Sequence, residues 1–590
     1  MAVFTASTLY RCVSDDLAEQ GLFESPVFGY PDGTVREVAA ARLLESVLKK
    51  FPDNVAPDAD RLALEKFRQV NSECLEWKLS DSRSLVEDVI LGEVRECLYR
   101  FWFKGEAPGT SLVEDPSTLL SSAYMGPGAS MGASGTDFYS KLFAGRITCT
   151  SPILYKLYSG WVKGYPLWAE SEETRFAHAG QPLLVDHNLL SFVPKDNRVS
   201  RVICTEPSLN MYYQLGLKGV LESRIRSFFG IDFASQQEIN RLLAKRSSLD
   251  DRLSTIDLSS ASDSVSSKML HWLLPKPFYG LLMLLRSKNT RLPSGEIVPL
   301  GMISSMGNGF TFPLQTLIFA AVLRAVYKVM GVIPVPPPRG ADLCNYAVYG
   351  DDIICCRETA GMVIRTLQLL GFNVNKEKSF VEGPFKESCG LDAYRGHDVR
   401  GVYLKEVSRL TPHVMFNRLV DWSAKTGLCL PSTFRYLLSC GEYLPVPLWE
   451  SDAAGFKIPL RYWRNKVTDH NGSFVYTKLD PIPSLLRFKP EGSVIVPRGG
   501  KRRIYNSSAH YLCAIGGYIT SDTISLRPMK DDVIRYRRRK ALAPNWEVPS
   551  PEYLCHRRPH FSRKGRVGGT AEAVSDPMDR REAVYDSIFG

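Results

Sequence analysis

Two adjacent carboxylates behind a glycine, in Tyr349-Gly350-Asp351-Asp352, are the residues of this chain best placed to do chemistry. Side by side they repel each other unless a cation neutralises them. A hard divalent cation with oxygen ligands does this, and Mg²⁺ is the usual one beside phosphates. A third carboxylate, Asp257, falls in the run Ser254-Thr255-Ile256-Asp257-Leu258, and Asp263 follows shortly after it. Carboxylates from two separated strands can hold two metal ions about 3.5–4 Å apart, activating an attacking hydroxyl and steadying a leaving oxygen. Such ions also spread the negative charge that grows at pentavalent phosphorus. The chemistry these residues point to is phosphoryl or nucleotidyl transfer. On its own the tetrapeptide also fits a polar hairpin turn.

The flanking sequence says which elements must position these groups. Ala347-Val348 before the motif and Ile353-Ile354-Cys355-Cys356 after it are short apolar runs around a Gly-Asp turn, the pattern of a tight β-hairpin. Asp351 then sits at the tip with Asp352 beside it. Ser254 to Leu258 reads as a strand ending in a carboxylate, and Val265 to Leu274 as a helix preceded by capping residues. Asp257 points to the same place as the hairpin tip. Asp263 either faces that cleft from further away or caps the helix.

Elsewhere the signals are plainer. Leu64, Phe67, Val70, Cys74 and Trp77 recur at helical spacing and predict a packed amphipathic helix. Met125 to Thr136 is glycine-rich and reads as a flexible connection. The Pro334 to Pro338 run is a stiff connector between a helix and the next strand. After Thr411 the chain reads as helical for a while, then turns Arg-rich and ends in a loose Gly- and charge-rich tail. The chain holds neither a P-loop nor a G-x-G-x-x-G fingerprint.

Composition sets the outer bounds. With 44% hydrophobic and 23% charged residues in 590, the chain is a folded protein of several domains and not a disordered one. The net charge of +10 is concentrated near the carboxyl end, where residues 487–566 carry 18 Lys and Arg against 6 Asp and Glu. Such a segment suits a polyanion, nucleic acid or a membrane surface, unless it is a solvated basic tail. Thirteen cysteines without a C-x-x-C pair read as reduced, buried thiols of a cytosolic protein. No signal peptide opens the sequence, and the most apolar stretch, Thr316 to Val326, is interrupted by Arg324. No membrane span is expected.

Four segments then occur in a telling order: Thr255-Ile-Asp-Leu-Ser-Ser-Ala-Ser-Asp-Ser264, Ile303-Ser-Ser-Met-Gly-Asn-Gly-Phe-Thr-Phe312, Tyr349-Gly-Asp-Asp352 and Gly383-Pro-Phe-Lys-Glu-Ser-Cys-Gly390. Together they resemble the replicase catalytic (beta) subunits of the positive-strand RNA bacteriophages, which are RNA-directed RNA polymerases. The similarity is dense from about Leu189 to Gly390. The resemblance implies that Asp257, Asp351 and Asp352 bind two Mg²⁺ ions, with Mn²⁺ an alternative, and that Asp263 helps recognise the ribose 2′-hydroxyl of the incoming nucleotide. Val193 to Pro207 resembles the basic hairpin that neutralises the triphosphate, implying nucleotide contacts by Lys195, Arg198 and Arg201. Lys378, with Lys376 as the alternative, matches the lysine that protonates departing pyrophosphate. Gly307 and Gly309 match the glycines of the loop that touches the nascent base pair, and Phe385 to Gly390 the hairpin under the growing 3′ end. Many viral polymerases carry an asparagine where this chain has Gln315, which leaves Ser305 or Asn308 as substitutes in sugar selection.

The resemblance further implies an α+β right-hand fold with an antiparallel palm sheet and largely helical fingers and thumb. Fingers and N-terminal region are expected over 1–248, palm over 249–410, and thumb with a basic carboxyl-terminal region over 411–590. That last region, with Tyr505, Tyr511 and Tyr518, is expected to line an RNA channel. The implied partners are RNA template and product, ribonucleoside triphosphates, host elongation factors Tu and Ts, and a host ribosomal RNA-binding protein, in the cytoplasm of an infected bacterium. Reverse transcriptases share the paired aspartates. Asp263 and the segment around Thr311 speak against that reading, while an RNA-binding or assembly protein without catalysis has only the basic carboxyl end in its support.

Overall fold

The structure is a computed structural model that describes the chain apart from residues 1, 23–32, 52–56, 106–108, 127, 134, 197, 337–343, 483–484, 488–493, 496–502, 516–518, 521–522, 526–534, 549–576 and 590. It is an α+β protein in which helices surround several small, mostly antiparallel sheets.

The amino-terminal third is helical: α1 (Ala6–Ala18), α2 (Val35–Val47), α3 (Ala59–Glu76) and α4 (Leu85–Trp102). Reciprocal hydrogen bonds between Thr34 and Glu37 and between Ser84 and Glu87 start α2 and α4, closing backbone donors that the first turn leaves open. In α3 the expected helix is present, with Phe67, Val70 and Cys74 buried. A hairpin follows, β1 (His187–Pro194) and β2 (Ser200–Thr205), and then α5 (Ser208–Phe229) and α6 (Gln236–Asp250).

The central part supplies β3 (Leu253–Ile256), β4 (Leu258–Ser259), α7 (Ser267–Leu273), β5 (Asn289–Arg291), β6 (Ile297–Pro299) and α8 (Thr311–Val329). Next come β7 (Ala347–Tyr349), β8 (Asp352–Cys356), α9 (Ala360–Leu369), β9 (Asn373–Val374), β10 (Phe385–Ser388) and β11 (Leu391–Tyr394). Strands β7, β8 and β3 form one antiparallel sheet with β8 in the middle. Because side chains alternate across a strand, the sheet has two apolar faces. Val348, Ile353 and Cys355 join the main core with α4, α5, α8 and α9, while Ala347, Ile354 and Leu253 pack on Leu243 and Ala244 of α6.

Helix α8 is long and apolar enough to cross a membrane, yet its sides are buried within the protein, as expected of a core helix that is apolar all round. None of the cysteines among the described residues is in a disulfide.

Beyond the sheet lie α10 (Thr411–Thr426), α11 (Pro431–Cys440), α12 (Ser507–Ile515) and α13 (Pro577–Phe589). The first helices of the chain pack against the last ones. Leu9, Val13, Val38 and Leu43 of α1 and α2 share a core with Phe416, Leu419 and Phe434 of α10 and α11 and with Tyr585 of α13. The physical reason is that α1 and α2 are each too short to bury an apolar stripe alone, and the later helices offer the matching face. In the opposite direction, Ala509 and Cys513 of α12 join the main core, and Asn506 just before it donates to the Ser171 carbonyl at 2.6 Å.

Candidate active site

The turn between β7 and β8 is two residues long, with Tyr349 paired to Asp352. Gly350 takes φ +63°, the left-handed region a two-residue hairpin needs at its first loop position. Its N–H donates to Thr316 Oγ1 of α8 at 3.0 Å, and the Tyr349 ring meets Phe312 edge-on at 4.8 Å. The tip is thereby fixed to the central buried helix. On the other side of β8 the ladder ends where Ile353 pairs with Ile256, so Asp352 and Asp257 are the next residues along the two strands, and the charges of Asp351 and Asp352 both act on Asp257. Carboxylates separated by almost a hundred residues thus meet at one corner of the sheet.

Each is held differently. Asp257 Oδ2 accepts from Asn375 Nδ2 at 3.0 Å, its backbone carbonyl accepts from the Asn375 N–H at 2.9 Å, and its N–H donates to Ser379 Oγ at 3.1 Å. Asp352 Oδ1 accepts from the Cys389 N–H at 2.9 Å and from Ser388 Oγ at 3.2 Å. Burial pushes Asp257 up to about 6, reinforced by Asp351 and Asp352 and opposed by Lys378 and Asn375. Burial and then the charge of Asp352 raise Asp351, against the pull of Arg201 and Lys195. Hard oxygen donors crowded with too little positive charge are a donor set that fits a divalent cation. Among the described residues no three ligating side chains already converge tightly enough to enclose a metal. The hydrogen bonds that hold Asp352 toward the β10–β11 turn are consistent with this.

The raised Asp257 carries a stability consequence. Its folded pKa lies above the ordinary 3.8, so ionising it costs the folded state more than the unfolded one. The cost is absent below about pH 4, grows as pH rises, and is fully present above pH 6. In chelator, Asp257→Asn should therefore unfold at higher urea than the parent, by about 2 kcal/mol at pH 7.5 and by less at pH 5. Equal urea midpoints for the two proteins at both pH values would show the carboxylate to be unstrained.

Cations act on this corner from the β1–β2 hairpin and from the connection between β9 and β10. Lys195 opens the β1–β2 hairpin loop with its N–H on the Val199 carbonyl at 2.9 Å, and Arg201 lies one residue into β2. Desolvation, then Arg201 and Lys378, hold Lys195 below the usual lysine range, and Asp257 partly offsets this. Arg198 stands exposed in the loop, its N–H on Asp196 Oδ1 at 2.9 Å, and is not among the charges acting most strongly on Asp257 or Asp351. Lys378 Nζ lies 3.6 Å from Glu387 Oε1. Although burial works against its charge, Glu387, Asp257 and Asp392 together hold it above the usual lysine range. Lys376 is exposed.

Asp263 does not cap α7, because Ser266 does, accepting from the Met269 N–H at 3.4 Å. Instead it accepts from the Met306 N–H, and burial pushes it up to about 6 against that bond, Ser262 and Lys66. It is therefore joined to the Ser305–Gly309 loop. That loop lies on β2, where the Cys204 N–H donates to the Met306 carbonyl at 2.8 Å. The Ser305 carbonyl accepts from Thr311 Oγ1 at 3.3 Å, and Asn308 Oδ1 accepts from the Phe310 N–H at 3.0 Å. Asn308 Nδ2 and Gln315 Nε2 are buried without a protein partner among the described residues.

The basic carboxyl-terminal region is described in part. Arg537, Arg538, Arg539 and Lys540 lie exposed on the strand Tyr536–Ala543, where Arg538 pairs with Glu442 and Arg539 with Asp480. Tyr505 and Tyr511 are exposed, and Tyr518 and most of the final tail lie outside the described residues. Residues that the sequence reading did not single out are Asn375, Ser379, Ser388 and Cys389, which bond directly to the aspartates. Only the closeness of Asn375 and Ser379 to Lys378 in the chain could have drawn attention to the first two.

Acidic groups thus stand at one corner of a three-stranded antiparallel sheet, with Lys195, Arg201 and Lys378 acting on them and the Ser305–Gly309 loop held to Asp263. The RNA replicase, beta-chain, family profile matches residues 3–457. The chain is 33% identical over 425 residues to the RNA-directed RNA polymerase beta chain of Escherichia phage MS2, covering 69% of this chain and 72% of that one. It is 39% identical over 258 residues to the RNA-directed RNA polymerase subunit beta of Escherichia virus Qbeta, covering 43% and 42%. Among solved structures, the RNA-dependent RNA polymerase of a human picorbirnavirus, in an insertion-loop deletion mutant, superposes with a TM-score of 0.44 at 11% identity, covering 74% of this chain and 85% of that one. The chain belongs to the RNA replicase beta-chain family of the RNA phages, and it is an RNA-directed RNA polymerase.

Proposed function

We propose that this polymerase extends RNA on an RNA template by two-metal nucleotidyl transfer from ribonucleoside triphosphates. Asp257, Asp351 and Asp352 would hold two Mg²⁺ ions, or Mn²⁺ in their place. Bound there, the ions would supply charge for the attacking 3′-oxygen and the leaving pyrophosphate. The observation that carries this reading is that Asp257 and Asp352 are the next residues beyond the last pair of β3 and β8, at the hairpin tip. In the reaction the 3′-oxygen bonds to the α-phosphorus and the bond to pyrophosphate breaks. Lys195 and Arg201 neutralise the triphosphate, and Arg198 meets its outer phosphates or the RNA backbone from the loop. Lys378 gives its proton to the departing pyrophosphate; Glu387 and Asp257 keep that ammonium charged beforehand.

Asp263, which accepts from the Met306 N–H of the loop that carries Ser305 and Asn308, would accept a hydrogen bond from the ribose 2′-hydroxyl. A deoxynucleotide cannot offer that bond, which leaves a buried acceptor unpaired and costs about 1–3 kcal/mol. Single-nucleotide extension of a short RNA duplex tests the whole reading. The parent should use ribonucleotides with Mg²⁺ or Mn²⁺ and stop with chelator. Asp263→Ala should narrow the preference for ribo- over deoxyribonucleotides by about 10–100-fold. An unchanged preference would remove Asp263 from sugar selection.

By the same reading, the division into fingers, palm and thumb follows residues 1–248, 249–410 and 411–590, with α1 and α2 serving as a strap across the thumb. The exposed arginines of the strand Tyr536–Ala543 and the tyrosines near α12 would track the RNA. Elongation factors Tu and Ts and a ribosomal RNA-binding protein are the proposed host subunits, and the host cytoplasm the place of action.

A further inference from the structure

The β10–β11 turn does more than close a hairpin. Ser388 Oγ donates to Asp352 Oδ1 at 3.2 Å and accepts from Asn240 Nδ2 at 3.3 Å. The same Asn240 amide donates to the Asp352 backbone carbonyl at 3.3 Å, and Gln236 Nε2 holds Asn240 Oδ1 at 3.1 Å. The Cys389 N–H completes the set on Asp352 Oδ1 at 2.9 Å. Ser388 and Asn240 are 1% and 0% exposed, so these bonds meet little competition from water. Cys389 takes φ +49° and Gly390 φ +77°; the left-handed residue at Cys389 is uncommon outside glycine and is part of the conformation that presents its N–H.

Oδ1 of Asp352 is therefore held by two donors of the β10–β11 hairpin, with the Cys389 thiol also against the carboxylate. We infer that Ser388, relayed from Asn240 on α6 and assisted by the Cys389 amide, is a positioning residue that orients Asp352 to meet a divalent cation. The inference rests on the metal role proposed for Asp352. Outer partners of this kind fix a ligand's orientation, and losing one typically costs about 10–100-fold in metal affinity. A hydroxyl that only packed the hairpin would leave affinity for the cation unchanged.

The test is Mn²⁺ binding to the full chain, followed by the electron paramagnetic resonance signal of the free ion, with no nucleotide or RNA present. Ser388→Ala should raise the dissociation constant of the site about 10-fold, and Asn240→Ala should shift it in the same direction. Asp352→Asn is the reference: its loss of binding marks the site. Superimposable isotherms for the parent, Ser388→Ala and Asn240→Ala, with Asp352→Asn weakened, would overturn the inference and spare the metal reading. If Asp352→Asn binds Mn²⁺ as the parent does, the metal reading itself falls. Should Ser388→Ala misfold, as its thermal unfolding would reveal, the Asn240→Ala isotherm decides alone.

Discussion

Asp352→Asn is expected to leave RNA binding intact while cutting nucleotide incorporation by about 10³-fold or more. The substitution keeps shape and loses charge. It also keeps an oxygen that can accept from Cys389 and Ser388, so the hairpin corner should persist. What disappears is the negative charge that, with Asp257 and Asp351, makes the corner attractive to cations. A 10³-fold loss corresponds to about 4 kcal/mol of transition-state stabilisation, the scale expected when a charged group acting at the reacting phosphate is removed. Asp257→Asn should behave alike, because Asp257 follows the last paired residue of β3 and feels the charges of Asp351 and Asp352. Filter binding to a short RNA and single-turnover extension measure the two properties separately. Extension at the parental rate by either variant would sink the metal assignment, and loss of RNA binding with loss of extension would point to misfolding.

How much of this was legible in the sequence depends on the range of the forces involved. The hairpin tip could be read because a Gly-Asp turn between two apolar runs is a local pattern. Its glycine is needed for a local reason, the left-handed φ. The strand leading to Asp257 was legible for the same reason, and the apolar stretch Thr316 to Val326, interrupted by Arg324, is the middle of α8. The side chains that hold the aspartates were not legible. Asn375, Ser388 and Asn240 reach them from other elements, and ordinary polar residues carry no periodicity that marks them. Asp263 shows the limit from the other side. Its position before a helix fits capping, and only the fold shows that Ser266 does the capping and that Asp263 turns to the Met306 amide. The placement of α1 and α2 against α10 and α11 was out of reach because it depends on which apolar faces remain uncovered once the chain has folded.

Gly307→Ala is expected to reduce incorporation by about 100-fold or more and to destabilise the protein, although no functional group is removed. Gly307 has φ +121°, and a β-carbon there would lie 2.3 Å from the Cys204 carbonyl oxygen. That oxygen belongs to β2, whose neighbouring N–H is bound to the Met306 carbonyl, so neither backbone can withdraw without breaking the contact between loop and strand. The φ strain alone costs about 1–3 kcal/mol. The loop must move, and with it the Met306 N–H that restrains Asp263 and the segment that carries Ser305 and Asn308. The substitution therefore acts on sugar recognition and on the alignment of the nucleotide, where a displacement of about 1 Å can cost 100-fold in rate. Gly295→Ala is the matched control: φ is +90° there and nothing stands within 4 Å of the new carbon. It carries the φ strain without the collision and should extend RNA within about two-fold of the parent, because its strain stays in an open turn. If both alanines slow extension equally, backbone strain rather than the approach of loop to strand is responsible. If neither does, the loop has room that this close packing denies it.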